Sequence, residues 1–132
     1  MIVPSITIAP SPLGGNGVFA TKRIPANTII EISPVLVFNR TERQHVEATV
    51  LYNYIFEWGD DHTLAALGLG YISLYNHSYT ANCDYDMDYE TATMTIATVK
   101  DIAVGEELCI NYNGQANNDT PVWFNTTDIP QS

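Results

Sequence analysis

The amino-acid sequence predicts a mainly β fold with several short strands and one or two small helices. Ile6 and Ile8 alternate with polar neighbours, which is the period of a half-buried strand. The segments CDYDMDYE (83–90) and TATMTIATV (91–99) keep the same period and predict a β-hairpin. Pro and Gly recur between such segments, so most connections are expected to be turns.

Further strands follow from the same patterns. SPLGGNG (11–17) predicts a loop, because one Pro and three Gly break both periodicities, and VFAT (18–21) resumes a strand. TIIEI and PVLVF predict two strands interrupted at Ser33–Pro34. TLAALGLG (63–70) predicts a short strand or a buried turn, and ELCINY (107–112) predicts a further short strand.

One helix is predicted in the first half of the chain. Thr41 followed by Gln44 fits a capping box, so the helix is expected to run from residue 42 to about residue 50. In the next segment, LYNYIFEW (51–58), every second residue is aromatic. That period favours a strand with an aromatic face over a helix.

Length and charge limit the classes of function. The 132 residues fit one domain, residues 1–132, and 5 Lys and Arg oppose 15 Asp and Glu for a formal charge of −10. Direct nucleic-acid binding is therefore not expected, whereas a basic protein segment would be attracted. A charge that serves only solubility is the alternative.

The predicted location is intracellular. The N-terminal segment MIVPSITIAP has no basic region followed by an unbroken apolar stretch, and no apolar stretch reaches the length of a membrane span. Cys83 and Cys109 are isolated along the chain, which supports neither a disulfide framework nor a Cys-rich zinc site.

Several common reaction sites are poorly matched. Asp84, Asp86 and Asp88 have the opening spacing of a calcium loop, but Tyr89 and Thr95 stand where that loop needs Gly and Glu. Ser78 lacks a nucleophile elbow, neither Cys lies in a known nucleophile motif, and the three His residues are scattered. No hydrolase and no metal site is predicted.

Three segments taken together are similar to a known family. In order and spacing, GGNGVFATKRIPANTIIEISPVLVF (14–38), YNHSYTANC (75–83) and GEELCINY (105–112) resemble the signature segments of SET-domain protein-lysine methyltransferases, which use S-adenosylmethionine. The resemblance implies a SET fold of short curved sheets with a C-terminal pseudoknot. It also implies a core at about residues 5–113 and a tail, residues 114–132, that folds back over the active site.

The resemblance implies a cofactor site at the first two segments. Backbone groups of the glycine-rich loop would contact the methionine part of the cofactor, Asn76 would bind its amino group, and the His77 backbone would meet the adenine. The loop residues concerned are Gly15, Asn16 and Gly17. Grouped polar residues suit this zwitterionic ligand, because a mostly apolar pocket must supply its donors and acceptors. Ser78 and Asn82 are expected to tie the surrounding loop together by hydrogen bonds.

The third segment would supply the catalytic residue. Tyr112 matches the family's catalytic tyrosine and would also contact the cofactor, aligning the lysine amine for in-line methyl transfer. Trp123 would contact the cofactor and Phe124 would close the lysine channel, or both would simply pack the tail. Tyr71 and Tyr75 are further channel candidates, with a role in the core as the alternative.

The sequence departs from the family at several positions. Tyr79 stands where the family has Cys, Ala81 where it has Pro, and Asn111 where it has Asp. Ile32 follows Glu31 where many members have a channel Tyr, which leaves the number of methyl groups open. Cys83 matches one zinc-binding position of relatives but lacks its companions, so no metal is predicted.

The leading interpretation is a protein-lysine methyltransferase that converts S-adenosyl-L-methionine to S-adenosyl-L-homocysteine and acts on a basic protein. No membrane or nucleic acid is expected as a partner, and a homodimer stays open. The expected location is cytoplasmic, or nuclear in a eukaryote. The alternatives are a non-catalytic SET-like module that binds cofactor or protein, and a methyltransferase acting on a small amine.

Overall fold

The computed structural model describes residues 1–112, and in this part of the chain it confirms the mainly β fold. Residues 1–112 contain nine strands, one α-helix and two single-turn 3-10 helices at Val50–Asn53 and Ile72–Leu74. The strands and the helix are β1 (Ile6–Pro10), β2 (Asn16–Ala20), β3 (Ile29–Phe38), α1 (Arg40–Glu47), β4 (Ile55–Trp58), β5 (Leu64–Gly68), β6 (Asn76–His77), β7 (Cys83–Asp88), β8 (Thr93–Thr98) and β9 (Glu107–Ile110). The predicted limits of the core and of the 114–132 tail stay predictions.

The strands join in the order β1-β2-β9-β7-β8-β3-β5-β4, with β6 attached to β9. The last described strand therefore lies inside the sheet and not at its edge. β9 pairs antiparallel with β2 and parallel with both β6 and β7. A C-terminal segment inserted among earlier strands is what the expected pseudoknot requires.

The expected break in β3 is wrong. TIIEI and PVLVF form one strand of ten residues, Ile29–Phe38, with Pro34 inside it. Residues up to Pro34 pair with β8, and residues from Val35 onward pair with β5. Pro34 thus lies where the strand changes partners, a position at which its missing N–H interrupts neither ladder.

The helix is present but begins earlier than expected. Its N-cap is Asn39, whose side chain accepts from the Glu42 backbone N–H at 2.8 Å, while the Glu42 carboxylate accepts from the Asn39 N–H at 2.9 Å. This capping box takes precedence over the one predicted from Thr41 and Gln44. The helix ends at Glu47, so its last predicted turn is also wrong.

The aromatic segment 51–58 is a strand only in its second half. Thr49 caps the first 3-10 turn by accepting a hydrogen bond from the Leu51 N–H at 3.1 Å, which gives this stretch helical geometry despite its period of two. β4 follows, with Phe56 and Trp58 buried. Arg43 of α1 holds the helix nearby, donating to the carbonyl of Leu64 at 3.1 Å.

The core is formed by alternate residues of the central strands and by the second 3-10 turn. Its largest fully buried apolar side chains are Tyr75, Ile30, Ile72, Met94, Ile96, Ile102, Leu108 and Ile110. Because β9 supplies two of them, the strand that carries the third motif is fixed by core packing. Within residues 1–112 no helix is both long and apolar enough to cross a membrane.

Candidate active site

Three strands bring the three motifs together. β6 lies beside β9 with Asn76 opposite Cys109 and His77 opposite Ile110, and β2 pairs with the start of β9. The Asn-His pair and the glycine-rich loop are therefore aligned along one strand, at whose end Tyr112 lies. Residues 60 to 96 positions apart in the chain come into hydrogen-bonding distance this way.

Two glycines of the glycine-rich loop differ in the space around them. Gly15 has a φ of +55°, and nothing lies within 4 Å of the position a Cβ would take, so the loop is open to a ligand on that side, while the Gly15 carbonyl accepts from the Ser11 N–H at 2.9 Å. At Gly17 the opposite holds, because a Cβ would lie 2.3 Å from Glu107 Oε2 and 3.1 Å from Asn76 Nδ2. A side chain at position 17 would therefore displace the Glu107 carboxylate from its place beside Asn76.

Asn76 is held by acceptors on one side. Its Nδ2 donates to Glu107 Oε2 at 2.8 Å and, more weakly, to the Asn16 carbonyl at 3.4 Å. The other carboxylate oxygen of Glu107 accepts from the Ser11 hydroxyl at 2.7 Å. The Ser11 oxygen in turn accepts from the Leu13 N–H at 2.9 Å. One carboxylate thus links β9, the amide and the loop.

His77 is fully buried and neutral near pH 7. Burial lowers the pKa of its imidazole to about 4. Nδ1 accepts from the Tyr112 backbone N–H at 3.1 Å, which places the ring proton on Nε2, and Nε2 has no partner among residues 1–112. The ring also meets the edge of Tyr79, with centroids 4.4 Å apart. His77 therefore fixes the backbone of the residue expected to be catalytic.

Tyr112 is held at both ends. Its hydroxyl donates to the Tyr75 carbonyl at 2.8 Å, and its own carbonyl accepts from the Tyr85 hydroxyl at 3.0 Å. The Phe56 ring packs against it edge to face, with centroids 5.7 Å apart. Burial raises the pKa of the Tyr112 phenol, so it stays protonated at neutral pH.

A buried carboxylate that the sequence did not single out supports this arrangement. Glu31 is 0% exposed and accepts three hydrogen bonds, from the Ser33 hydroxyl at 2.7 Å, the Tyr71 N–H at 2.8 Å and the Tyr75 hydroxyl at 2.8 Å. Tyr75 therefore lies between Glu31 and Tyr112, bonded to the first by its side chain and to the second by its backbone. The partners are two to 44 positions away, a spacing that no local pattern shows.

The predicted site residues fall into three groups. Residues 15–17, 76–77 and 112 converge as described. Tyr71 and Tyr75 lie beside them, and Tyr75 is fully buried, so their assignment to the lysine channel stays a prediction. Trp123 and Phe124 lie outside the described residues. Sequence reasoning missed Glu31, Glu107 and the rings of Phe56 and Tyr85; only the alternation of β4 and β7 pointed toward the last two.

The predicted loop braces are confirmed. Asn82 donates to the Glu107 carbonyl at 2.9 Å and accepts from the Cys109 N–H at 2.8 Å, which ties the loop after β6 to β9. The Ser78 N–H donates to the Ile110 carbonyl at 3.0 Å. These bonds hold the segment that follows the Asn-His pair against β9.

Residues 1–112 contain no group of three or more His, Cys, Asp or Glu side chains that could hold a metal ion. Cys83 and Cys109 are both buried free thiols. Burial raises the pKa of Cys83 and raises that of Cys109 to about 12, which disfavours the thiolate. A metal-free protein stays a prediction.

Comparison with known proteins gives matches over most of the chain. The SET domain family matches residues 15–113. A curated protein of Schizosaccharomyces pombe, "Histone-lysine N-methyltransferase, H3 lysine-37 specific", is 43% identical over 111 residues, which cover 83% of this chain and 70% of that protein.

Solved structures match the fold. A Plasmodium falciparum protein assigned as a histone methyltransferase has a TM-score of 0.64 and 31% identity, covering 84% of this chain and 95% of that one. A chain of Chaetomium thermophilum Polycomb Repressive Complex 2, in an autoinhibited conformation bound to S-adenosylmethionine, has a TM-score of 0.68 at 21% identity. That match covers 82% of this chain and only 15% of the other, and it concerns the fold alone.

Proposed function

Because the chain belongs to the SET-domain family of protein-lysine methyltransferases, we propose that residues 15–17, 76–77 and 112 bind S-adenosylmethionine and transfer its methyl group to a lysine amine. The family and the enzyme class expected from the sequence are confirmed by these relatives. The roles of individual residues, the cofactor contacts and the substrate are the proposal.

The convergence of the three motifs on β9 carries this proposal. Asn76 has its amide nitrogen on Glu107 and Asn16, and no described residue donates to its Oδ1, which suits acceptance of a hydrogen bond from the ligand's ammonium group. The open space beside Gly15, whose carbonyl is already bonded to the Ser11 N–H, suits the approach of the same amino-acid part to the loop. The residues present therefore fit the cofactor.

Tyr112 is proposed to align the acceptor amine. When bound, S-adenosylmethionine supplies the activated methyl group on a sulfonium. The phenol proton of Tyr112 is directed at the Tyr75 carbonyl, so what its oxygen offers a lysine amine is acceptance of a hydrogen bond. The same contact, supported by His77 at the Tyr112 backbone, keeps that oxygen in one place.

The lysine must reach this point without its proton. A free lysine has a pKa of about 10.4, and an apolar aromatic surrounding favours its neutral form. Phe56 and Tyr85 supply such rings beside Tyr112, with Phe56–Tyr85 centroids 5.6 Å apart. No side chain is needed as a general base, because desolvation favours the neutral amine that attacks.

The substrate is proposed to be a basic protein such as a histone. The net charge of −10 attracts Lys- and Arg-rich segments, and Asp84, Asp86 and Asp88 share one face of β7. The Schizosaccharomyces pombe relative is named for lysine 37 of histone H3, which makes that histone the first candidate. A nuclear or other intracellular location follows from such a substrate.

A methyl-transfer assay tests the proposal. Purified protein is incubated with isotope-labelled S-adenosylmethionine and with core histones, ribosomal proteins or free lysine, and cofactor binding is measured separately by calorimetry. Transfer to lysine of a basic protein supports the proposal. If wild-type protein does not bind the cofactor, the proposed methyltransferase activity is overturned in favour of a non-catalytic binding module. If methyl transfer occurs only to free amines, the proposal of a protein substrate is overturned.

A further inference from the structure

The carboxylate of Glu107 lies next to the proposed cofactor site without touching any basic side chain. All five Lys and Arg residues of the sequence, Lys22, Arg23, Arg40, Arg43 and Lys100, lie within the described residues. Both ion pairs found there involve Arg43 and not Glu107. The two oxygens of Glu107 instead accept from Asn76 at 2.8 Å and from Ser11 at 2.7 Å.

An ionised carboxylate is an acceptor only, whereas the amide of an Asn side chain can face either way. Both groups on the near side of Asn76, the Glu107 carboxylate and the Asn16 carbonyl, are acceptors. They therefore select the orientation in which Nδ2 points at them and Oδ1 points away. The carboxylate holds the stronger of the two contacts, 2.8 Å against 3.4 Å.

We infer that Glu107 is a positioning residue for the cofactor: it fixes the Asn76 amide so that Oδ1 accepts a hydrogen bond from the ammonium group of the methionine part. Through Ser11 the same carboxylate holds the loop that carries Gly15, because Ser11 also bonds the Leu13 N–H and its own N–H donates to the Gly15 carbonyl at 2.9 Å. This inference rests on the proposed function.

The close packing at Gly17 fits the same role. Glu107 Oε2 occupies the space that a side chain at Gly17 would need, so the absence of a side chain there leaves the carboxylate room beside Asn76. A Gln at position 107 keeps the size and shape but offers an NH₂ group as well as an oxygen. The Asn76 amide would then have no single preferred orientation on that side.

The test is binding of two ligands to Glu107→Gln protein by calorimetry. S-adenosylhomocysteine carries the amino-acid part, and methylthioadenosine has the nucleoside and thioether without it. We expect Glu107→Gln to bind S-adenosylhomocysteine about tenfold more weakly, as loss of roughly one hydrogen bond implies, with methylthioadenosine binding changed less than about twofold. Asp60→Asn removes one charge from an exposed turn and should bind both ligands as wild type does.

The double variant Asn76→Ala with Glu107→Gln separates positioning from other effects. If Glu107 acts through Asn76, the second substitution adds less than about a twofold loss to the first. Unchanged S-adenosylhomocysteine binding in Glu107→Gln, equal losses for both ligands, or losses that multiply in the double variant would each overturn the inference. Failure of wild-type protein to bind S-adenosylhomocysteine would instead overturn the proposed function. Thermal unfolding of each variant checks that it is folded.

Discussion

Two carboxylates border the site, and their surroundings differ. Glu31 is fully buried and accepts three hydrogen bonds, all of them from groups of the protein itself. Glu107 is half-buried and accepts two, one of them from Asn76, whose Oδ1 is left without a donor among residues 1–112. A network that is complete within the protein supports architecture, whereas one that ends in an open acceptor is prepared for a ligand. Changes near Glu31 should therefore affect stability, and changes near Asn76 should affect affinity.

The largest effect is expected from Glu31→Ala. Three donors lose their acceptor at once in a fully buried place, so the free energy of unfolding should fall by about 3–5 kcal/mol, measured by urea denaturation. Asp60→Ala, on an exposed turn, is the control and should change it by less than about 0.5 kcal/mol. A loss below about 1 kcal/mol for Glu31→Ala would show that the hydrogen bonds to Glu31 contribute little to stability.

Tyr112→Phe tests the catalytic role of the tyrosine hydroxyl without changing Glu31 or Glu107. The fold and the affinity for S-adenosylhomocysteine should stay close to wild type, while turnover falls by about a hundredfold or more because the amine loses its aligning oxygen. Tyr89→Phe removes a hydroxyl from an exposed tyrosine and should not change turnover. Full turnover in Tyr112→Phe protein would contradict the assigned role.

Asn76→Ala tests the hydrogen bonds that link Glu107, Asn76 and the proposed ligand. Cofactor affinity should fall by about 1–3 kcal/mol in a calorimetric titration, because a polar contact to the ligand is removed. The matched change Asn39→Ala removes the N-cap of α1 and should lower stability by about 1 kcal/mol with affinity unchanged. Equal affinity in wild-type and Asn76→Ala protein would make Asn76 a loop brace, similar in kind to Asn82.

The last prediction concerns the pH dependence of stability. His77 has a folded pKa of about 4, below the ordinary value of about 6.5, so the unfolded chain binds the proton first as the pH falls. Its contribution to stability is complete above pH ~6.5 and is lost toward pH ~4, at no more than about 1.4 kcal/mol per pH unit. Urea denaturation between pH 7 and 4 should show this component in wild-type protein and lack it in His77→Gln. Identical curves would contradict the neutral, buried assignment.

Local sequence patterns predicted most strands but not how they combine. The hairpin of β7 and β8 and the strands β1, β2, β5 and β9 follow from alternation and turn residues. Pro34 suggested an interruption, yet a strand can pass through a proline where it exchanges one neighbour for another. The alternating aromatic residues predicted a strand from residue 51, but Val50–Asn53 form a 3-10 turn because Thr49 caps it.

The site was predicted only as far as its motifs are recognisable. Asn76, His77 and Tyr112 were found through their segments, and their meeting follows from the pairing of β6 with β9. Two of the three partners of Glu31 are 40 and 44 positions away in the chain. The two side-chain partners of Glu107 are 31 and 96 positions away. Periodicity carries no information about such contacts, since they depend on the assembled sheet.

The central place of β9 has a consequence for biosynthesis. Of the described strands it is the last to leave the ribosome, yet β6 pairs with it alone, and β2 and β7 each need it as their second neighbour. During synthesis the earlier strands therefore stay partly unpaired until β9 has been made and inserts between them. Contacts between residues so distant along the chain also slow folding. A nascent chain stalled before residue 107 would expose those edges and lack both Glu107 and Tyr112 of the proposed site.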